Sequence, residues 1–180
     1  MIKNESFGLQ NKTKSVVLTL DDFRKGATAP TEVTIGTTPT ISAYHFDDVN
    51  DLMTVHVVLP NDWNRSYDLT IDLIWSLSVI ETDTDTLDLN IDYVIIDKES
   101  TGKGIGRTST NLTPSLTVTT AKGLAAGDIY VTSITIDKDD ASNPFTSNSI
   151  GIAAEISLAN TTGVAEIDFI SGCINYTAKP

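Results

Sequence analysis

Residues 69–79 read LTIDLIWSLSV, and this stretch limits the fold more than any other. Leu69, Ile71, Leu73, Trp75, Leu77 and Val79 fall on one side of an extended chain. Thr70, Asp72, Ser76 and Ser78 fall on the other, with Ile74 among them. A period of two held this long specifies a β-strand with one buried and one wet face; a helix would scatter the same residues around its axis. Residues 87–96 repeat the pattern, with Leu87, Leu89, Ile91, Tyr93 and Ile95 set against Asp88, Asn90 and Asp92. The polar link ETDTDT between the two stretches reads as a turn, which predicts that they pair antiparallel.

Shorter strand patterns cover 15–20, 32–35, 53–59, 115–120, 128–136, 149–158 and 164–177. No window holds a period of 3.6 over three turns. About eight strands at regular spacing, each apolar on one side, predict an all-β fold: an antiparallel two-sheet sandwich with jelly-roll topology. The chain's 180 residues are 40% hydrophobic, which suits a single core. Its one cysteine, Cys173, excludes an internal disulfide, and among ISGCINY it reads as a buried small hydrophobe. The first forty residues are rich in Thr, Pro and Gly. The expected organisation is an extended, irregular N-terminal arm over 1–40 and a β-sandwich over 41–180.

A formal net charge of −12 repels phosphate backbones and argues against nucleic-acid partners. The apolar runs are too short to span a bilayer, which argues against a membrane partner. MIKNESFGLQNKTKS holds no apolar leader, so synthesis in a cytoplasm is expected.

Chemical motifs are sparse. STGKGIGRTS carries Lys103 and Arg107 but lacks the order and the following helix of a phosphate loop. Asp83, Asp85 and Asp88, and likewise Asp137, Asp139 and Asp140, have the oxygen chemistry of a Ca²⁺ site without the spacing of one; solvated turns are the plainer reading, and no metal or cofactor is expected. Two histidines, His45 and His56, give a Ser-His-Asp set in composition only, with no nucleophile elbow, so the expectation is not an enzyme. Tyr44, Trp63 and Tyr67 are candidates for an aromatic platform under sugar rings, although Trp63 also suits a plug at the strand corner LPNDW. Ile74, Val94, Ile96, Ile134 and Ile136 sit off their strands' main apolar rows, as a subunit interface would need.

Four local patterns carry a resemblance: GATAP, YHFDD before a strand, LPNDW at a corner, and the long strand bearing Trp75. KGLAAGDIYVTSITI adds a fifth. Together they resemble single jelly-roll virion proteins of tailed phages, of the head-decoration or head-fibre type. The resemblance implies a capsid decoration or cement protein on the virion surface, homotrimeric, bound to the major capsid protein. Phe7, Leu9, Phe23 and Arg24 are then the expected anchors. The alternative is a host-recognition module that binds glycans through Tyr44, Trp63 and Tyr67.

Overall fold

The computed structural model describes residues 11–80, 84–98, 109–118 and 125–179. Within them lie twelve strands: β1 Lys12–Leu18, β2 Phe23–Lys25, β3 Thr31–Ile35, β4 Ile41–Phe46, β5 Met53–Val58, β6 Leu69–Leu77, β7 Asp85–Asp97, β8 Thr110–Leu112, β9 Ser115–Val118, β10 Ile129–Ile136, β11 Ser149–Leu158 and β12 Ile167–Ala178. Sheet A runs β10-β6-β12-β4-β3, with β1 also on β12. Sheet B runs β2-β5-β11-β7-β8, with β9 also on β7. Every pairing is antiparallel, and the chain crosses repeatedly between the layers, as in a jelly roll.

The alternating rows form the core. Leu69, Ile71, Leu73, Trp75 and Leu77 of sheet A face Met53, Val55, Leu89, Ile91, Tyr93 and Ile156 of sheet B in one buried cluster. Trp75 stacks on Tyr130 at 4.9 Å and donates its indole N–H to Thr132 Oγ1 at 3.0 Å, so its polar atom is satisfied inside the apolar layer.

The expected hairpin of 69–79 with 87–96 does not form. β6 pairs with β12 and β10, whereas β7 pairs with β11, β8 and β9 in the opposite sheet. A half-buried strand shows the same period whether its neighbour in sequence lies beside it or across the core. The division at residue 40 differs as well. Residues 12–40 supply β1, β2 and β3, paired to β12, β5 and β4; residues 1–10 lie outside the described residues. Cys173 is half-exposed on the outer face of sheet A. A register shift between Phe169 and Ser171 moves the inward set of β12 from Ile167 and Phe169 to Ile174 and Tyr176, which turns Cys173 outward.

The corner LPNDW joins β5 in one sheet to β6 in the other. Trp63 is 1% exposed and packs edge-on against Phe145 at 4.6 Å. Its backbone bridges Ala178, while Asn64 N–H donates to Thr177 O at 2.7 Å and Lys179 N–H to Asp62 O at 2.6 Å. Arg65 covers the indole at 5.9 Å and donates to the carbonyls of Thr146 and Ser149. Trp63 therefore plugs this end of the sandwich and ties the crossover to the C-terminal strand.

Candidate functional site

Three strands of sheet B, β5, β11 and β7, lie side by side at its centre, and their outward side chains form the floor of a groove of about 690 Å³. One rim is the turn Leu20–Asp22 with Arg24 of β2. The other is Ser109, which leads into β8. Strand register places the floor residues in rows. One row crosses five strands: Arg24 opposite Thr54, Thr54 opposite Glu155, Glu155 opposite Asp92, and Asp92 opposite Asn111. At the usual strand spacing this row spans about 19 Å. The next row holds His56, Ala153 and Val94.

The depth has a simple origin. Ala153, at the middle of the second row, has only a methyl group to project. Next to it, Gly151 leaves room for the imidazole of His56, because a Cβ on Gly151 would stand 3.1 Å from Nε2. Ala153 is thus the small residue that lowers the groove floor.

The groove's polar groups divide into held and open. Asp92 accepts an N–H from the Asn111 amide at 3.1 Å and a longer one from Asn90 at 3.4 Å, and Asn111 also donates to Asn90 at 2.7 Å. Asp22 caps its own turn by accepting from Thr19 N–H at 2.7 Å and Thr19 Oγ1 at 2.9 Å. Arg24, His56 and Glu155 are exposed and turn their side chains to solvent. No Phe, Tyr or Trp ring is among the described residues that line the groove. The surface is built for hydrogen bonding.

The aromatic platform does not assemble. Trp63 is in the core, Tyr44 is half-buried with its hydroxyl donating to Phe23 O at 3.3 Å, and Tyr67 is 45% exposed with its hydroxyl accepting from Asn11 Nδ2. The expected subunit interface does not form one surface either. Ile134 and Ile136 are 4% and 1% exposed because they face inward beside Ile71 and Leu69, and their strand turns Ile129 and Val131 outward instead. Ile74 sits on the outer face of sheet A, while Val94 and Ile96 sit on that of sheet B, across the whole thickness of the sandwich. Among the anchor residues, Phe23 is a core ring packed edge-on against Phe169 at 4.6 Å, and Arg24 is at the groove; Phe7 and Leu9 lie outside the described residues, as do Asp83, Lys103 and Arg107.

Sheet A brings together Ser78, His45 and Asp168, but not as a catalytic relay. Asp168 Oδ1 at 2.8 Å and Ser78 Oγ at 3.2 Å both meet Nδ1 of His45, whereas a relay needs the serine on the opposite ring nitrogen. Nε2 faces Asp47 and Glu166, each at 3.9 Å. Asp137 Oδ1 accepts Asp139 N–H, and Asp140 Oδ1 accepts from Thr110 and from the N–H groups of Ser142 and Asn143; these carboxylates shape turns. Among the described residues, no cluster of His, Cys, Asp and Glu is arranged to hold a metal ion.

In the sequence His56 stands out only as one of the two histidines of a Ser-His-Asp composition. Thr54, Asp92, Ala153, Glu155 and Asn111 do not stand out there as sites. The signal was present in each strand as the wet positions of the alternation. What the sequence lacks is the statement that β5, β11 and β7 are neighbours.

No protein-family model matches the chain, and no curated protein matches it. Solved structures do. The tandem CBM22-1–CBM22-2 domain of Xyn10C from Paenibacillus barcinonensis matches over 89% of this chain and 47% of that one, at 12% identity and a TM-score of 0.50. The xylan-binding module CBM15 matches over 95% of this chain and all of that one, at 12% identity and a TM-score of 0.49. The CBM22-1 and GH10 modules of xylanase 10B from Clostridium thermocellum match over 88% of this chain, at 12% identity and a TM-score of 0.49; the chain spans 28% of that protein. None of the three is a virion protein. The first likeness supports the jelly-roll fold, and at this identity it speaks to the fold alone.

Proposed function

We propose that this protein is a non-catalytic saccharide-binding module whose ligand lies in the groove on the outer face of sheet B. One observation carries the reading: the row Arg24–Thr54–Glu155–Asp92–Asn111, a line of donors and acceptors crossing the sheet beside a floor lowered by Ala153. A sugar chain presents hydroxyls, each both donor and acceptor, at intervals along an extended backbone, and a row of this length meets several of them at once. Guanidinium, amide and carboxylate groups read hydroxyls by direct hydrogen bonds, each contributing about 0.5–3 kcal/mol depending on charge. Affinity is then a sum of modest contacts, without the stacking that an aromatic floor would add. This is the alternative that the sequence left open, moved from the aromatic residues to sheet B.

Attachment to a major capsid protein as a homotrimer rests on the virion resemblance alone. Its two described anchor residues divide between the core, Phe23, and the groove, Arg24.

The test is a glycan array followed by calorimetric titration of the best oligosaccharide, with Ala153→Trp as the blocking variant. An indole at that position fills the floor without entering the core. Binding by the native protein and its loss in the variant, at unchanged thermal unfolding, is the expected result. Undiminished binding by Ala153→Trp would place the ligand elsewhere.

A further inference from the structure

We propose that the groove selects its saccharide by charge: it prefers a chain bearing protonated primary amines, of the hexosamine type, over the same chain with the nitrogen acetylated, and it rejects uronate and sulfated chains. The inference rests on the saccharide reading above and names the ligand class.

Glu155 and Asp92 are register partners on adjacent strands, both pointing into the groove. Directly opposed side chains on a sheet have Cβ atoms about 4.5–5.5 Å apart, and like charges there repel. A sheet surface normally relieves such a pair with a neighbouring Lys or Arg. Here the flanking positions of the row are Thr54 and Asn111, and Arg24 stands one strand beyond Thr54. Asp92 is held by neutral amide donors from Asn90 and Asn111, and Glu155 makes no hydrogen bond or ion pair among the described residues. Asp21 and Asp22 add two carboxylates at the rim, so the described groove residues carry four carboxylates to one guanidinium and the imidazole of His56.

The chemistry that fits is a compact cation with several N–H donors. Ionised carboxylates only accept, and an ammonium offers three donors to the pair. Acetylation leaves one neutral N–H. A uronate would set acceptor against acceptor and charge against like charge.

The experiment titrates the native protein and Glu155→Gln with three oligosaccharides of equal length, at about pH 5.5 and low salt: a glucosamine oligomer, its fully N-acetylated form, and a galacturonate oligomer. The native protein binds the amine chain about tenfold more tightly than the acetylated chain, as hydrogen bonds to charged groups would give. Added salt shrinks that ratio. Glu155→Gln brings that ratio close to one by weakening the amine chain, and the ratio rather than either absolute affinity is the readout. Equal affinity of the native protein for both chains overturns the inference and leaves the saccharide reading standing. So does an amine preference that survives Glu155→Gln, since it would come from the overall charge of −12. Binding of the galacturonate oligomer in the groove overturns it as well. If no chain of any charge binds, the saccharide reading falls and takes the inference with it.

Discussion

The two outer faces of the sandwich come from the same alternation and end in opposite states. On sheet A the wet residues satisfy one another. Asp72 at the centre accepts from Ser133 Oγ at 2.6 Å and from Asn175 Nδ2 at 2.6 Å, and Ser15 Oγ donates to Asn175 Oδ1 at 2.5 Å. Cys173 Sγ lies 3.6 Å from Asp72, and burial together with that carboxylate pushes its thiol pKa up. On sheet B the corresponding central positions are Glu155, Thr54 and His56, and they face a hollow. A face whose polar groups are closed on themselves adds stability. A face whose polar groups stay open keeps its hydrogen-bonding capacity for a ligand.

That contrast can be broken at several points. The largest effect is expected where neither face is touched. Trp63→Ala empties the crossover corner and costs about 3–5 kcal/mol in denaturant unfolding, with saccharide affinity of the folded protein unchanged. A cost under about 1 kcal/mol would mean that the corner does not close the sandwich.

Asp72→Ala tests the closed face. It leaves Ser133 and Asn175 without their acceptor and lowers stability by about 1–2 kcal/mol, again with binding intact. A change in binding of the groove ligand would show that the two faces are coupled through the core.

Acid reaches the sheet A edge through β1. Lys14 donates to Asp62 at 2.5 Å and Tyr176 Oη donates to it at 2.9 Å, and these two bonds hold the Asp62 carboxyl below its ordinary value of 3.8. A depressed carboxyl stabilises the fold fully above its unfolded value, and the contribution is lost as pH falls through the folded one. Amide exchange in Val16–Leu18 is therefore expected to accelerate below about pH 4 ahead of global unfolding. On sheet B, hydrogen bonds from Ser115 and Asn160 lower Asp88 in the same way. If the β1 amides exchange no faster than those of β6 under these conditions, the Lys14–Asp62–Tyr176 set does not hold that edge.

The smallest effect is expected on the open face. Glu155→Gln removes one member of a like-charged pair with no partner to lose among the described residues, so stability changes by less than about 0.5 kcal/mol, in the stabilising direction. A clear destabilisation would reveal a structural role for that carboxylate.

Much of the fold was legible because burial leaves a periodic trace. The rows containing Leu69–Leu77 and Leu87–Ile95 predicted their strands and inward faces, and LPNDW predicted the indole plug. The short strands β2, β4 and β8 were not found, since β2 and β8 are three residues long and β4 shows no clean period. Ile134 and Ile136 were assigned to the wrong side because Ile129 and Val131 on the same strand are equally apolar, and an edge strand's sequence does not say which row has a second sheet to face. The groove was the least legible element. Its residues are ordinary wet positions on strands far apart in the chain.

From its sequence alone the chain determined that it would form a sandwich, and which side of most strands would be dry, because apolar burial dominates and acts residue by residue with the pleat's period. Tertiary structure alone decided which strands became neighbours. It placed β11 between β5 and β7, set Glu155 opposite Asp92, and laid Ala153 between His56 and Val94. Pairing between distant strands depends on the packing of the whole core, so a binding surface made from three of them exists only once that core has closed.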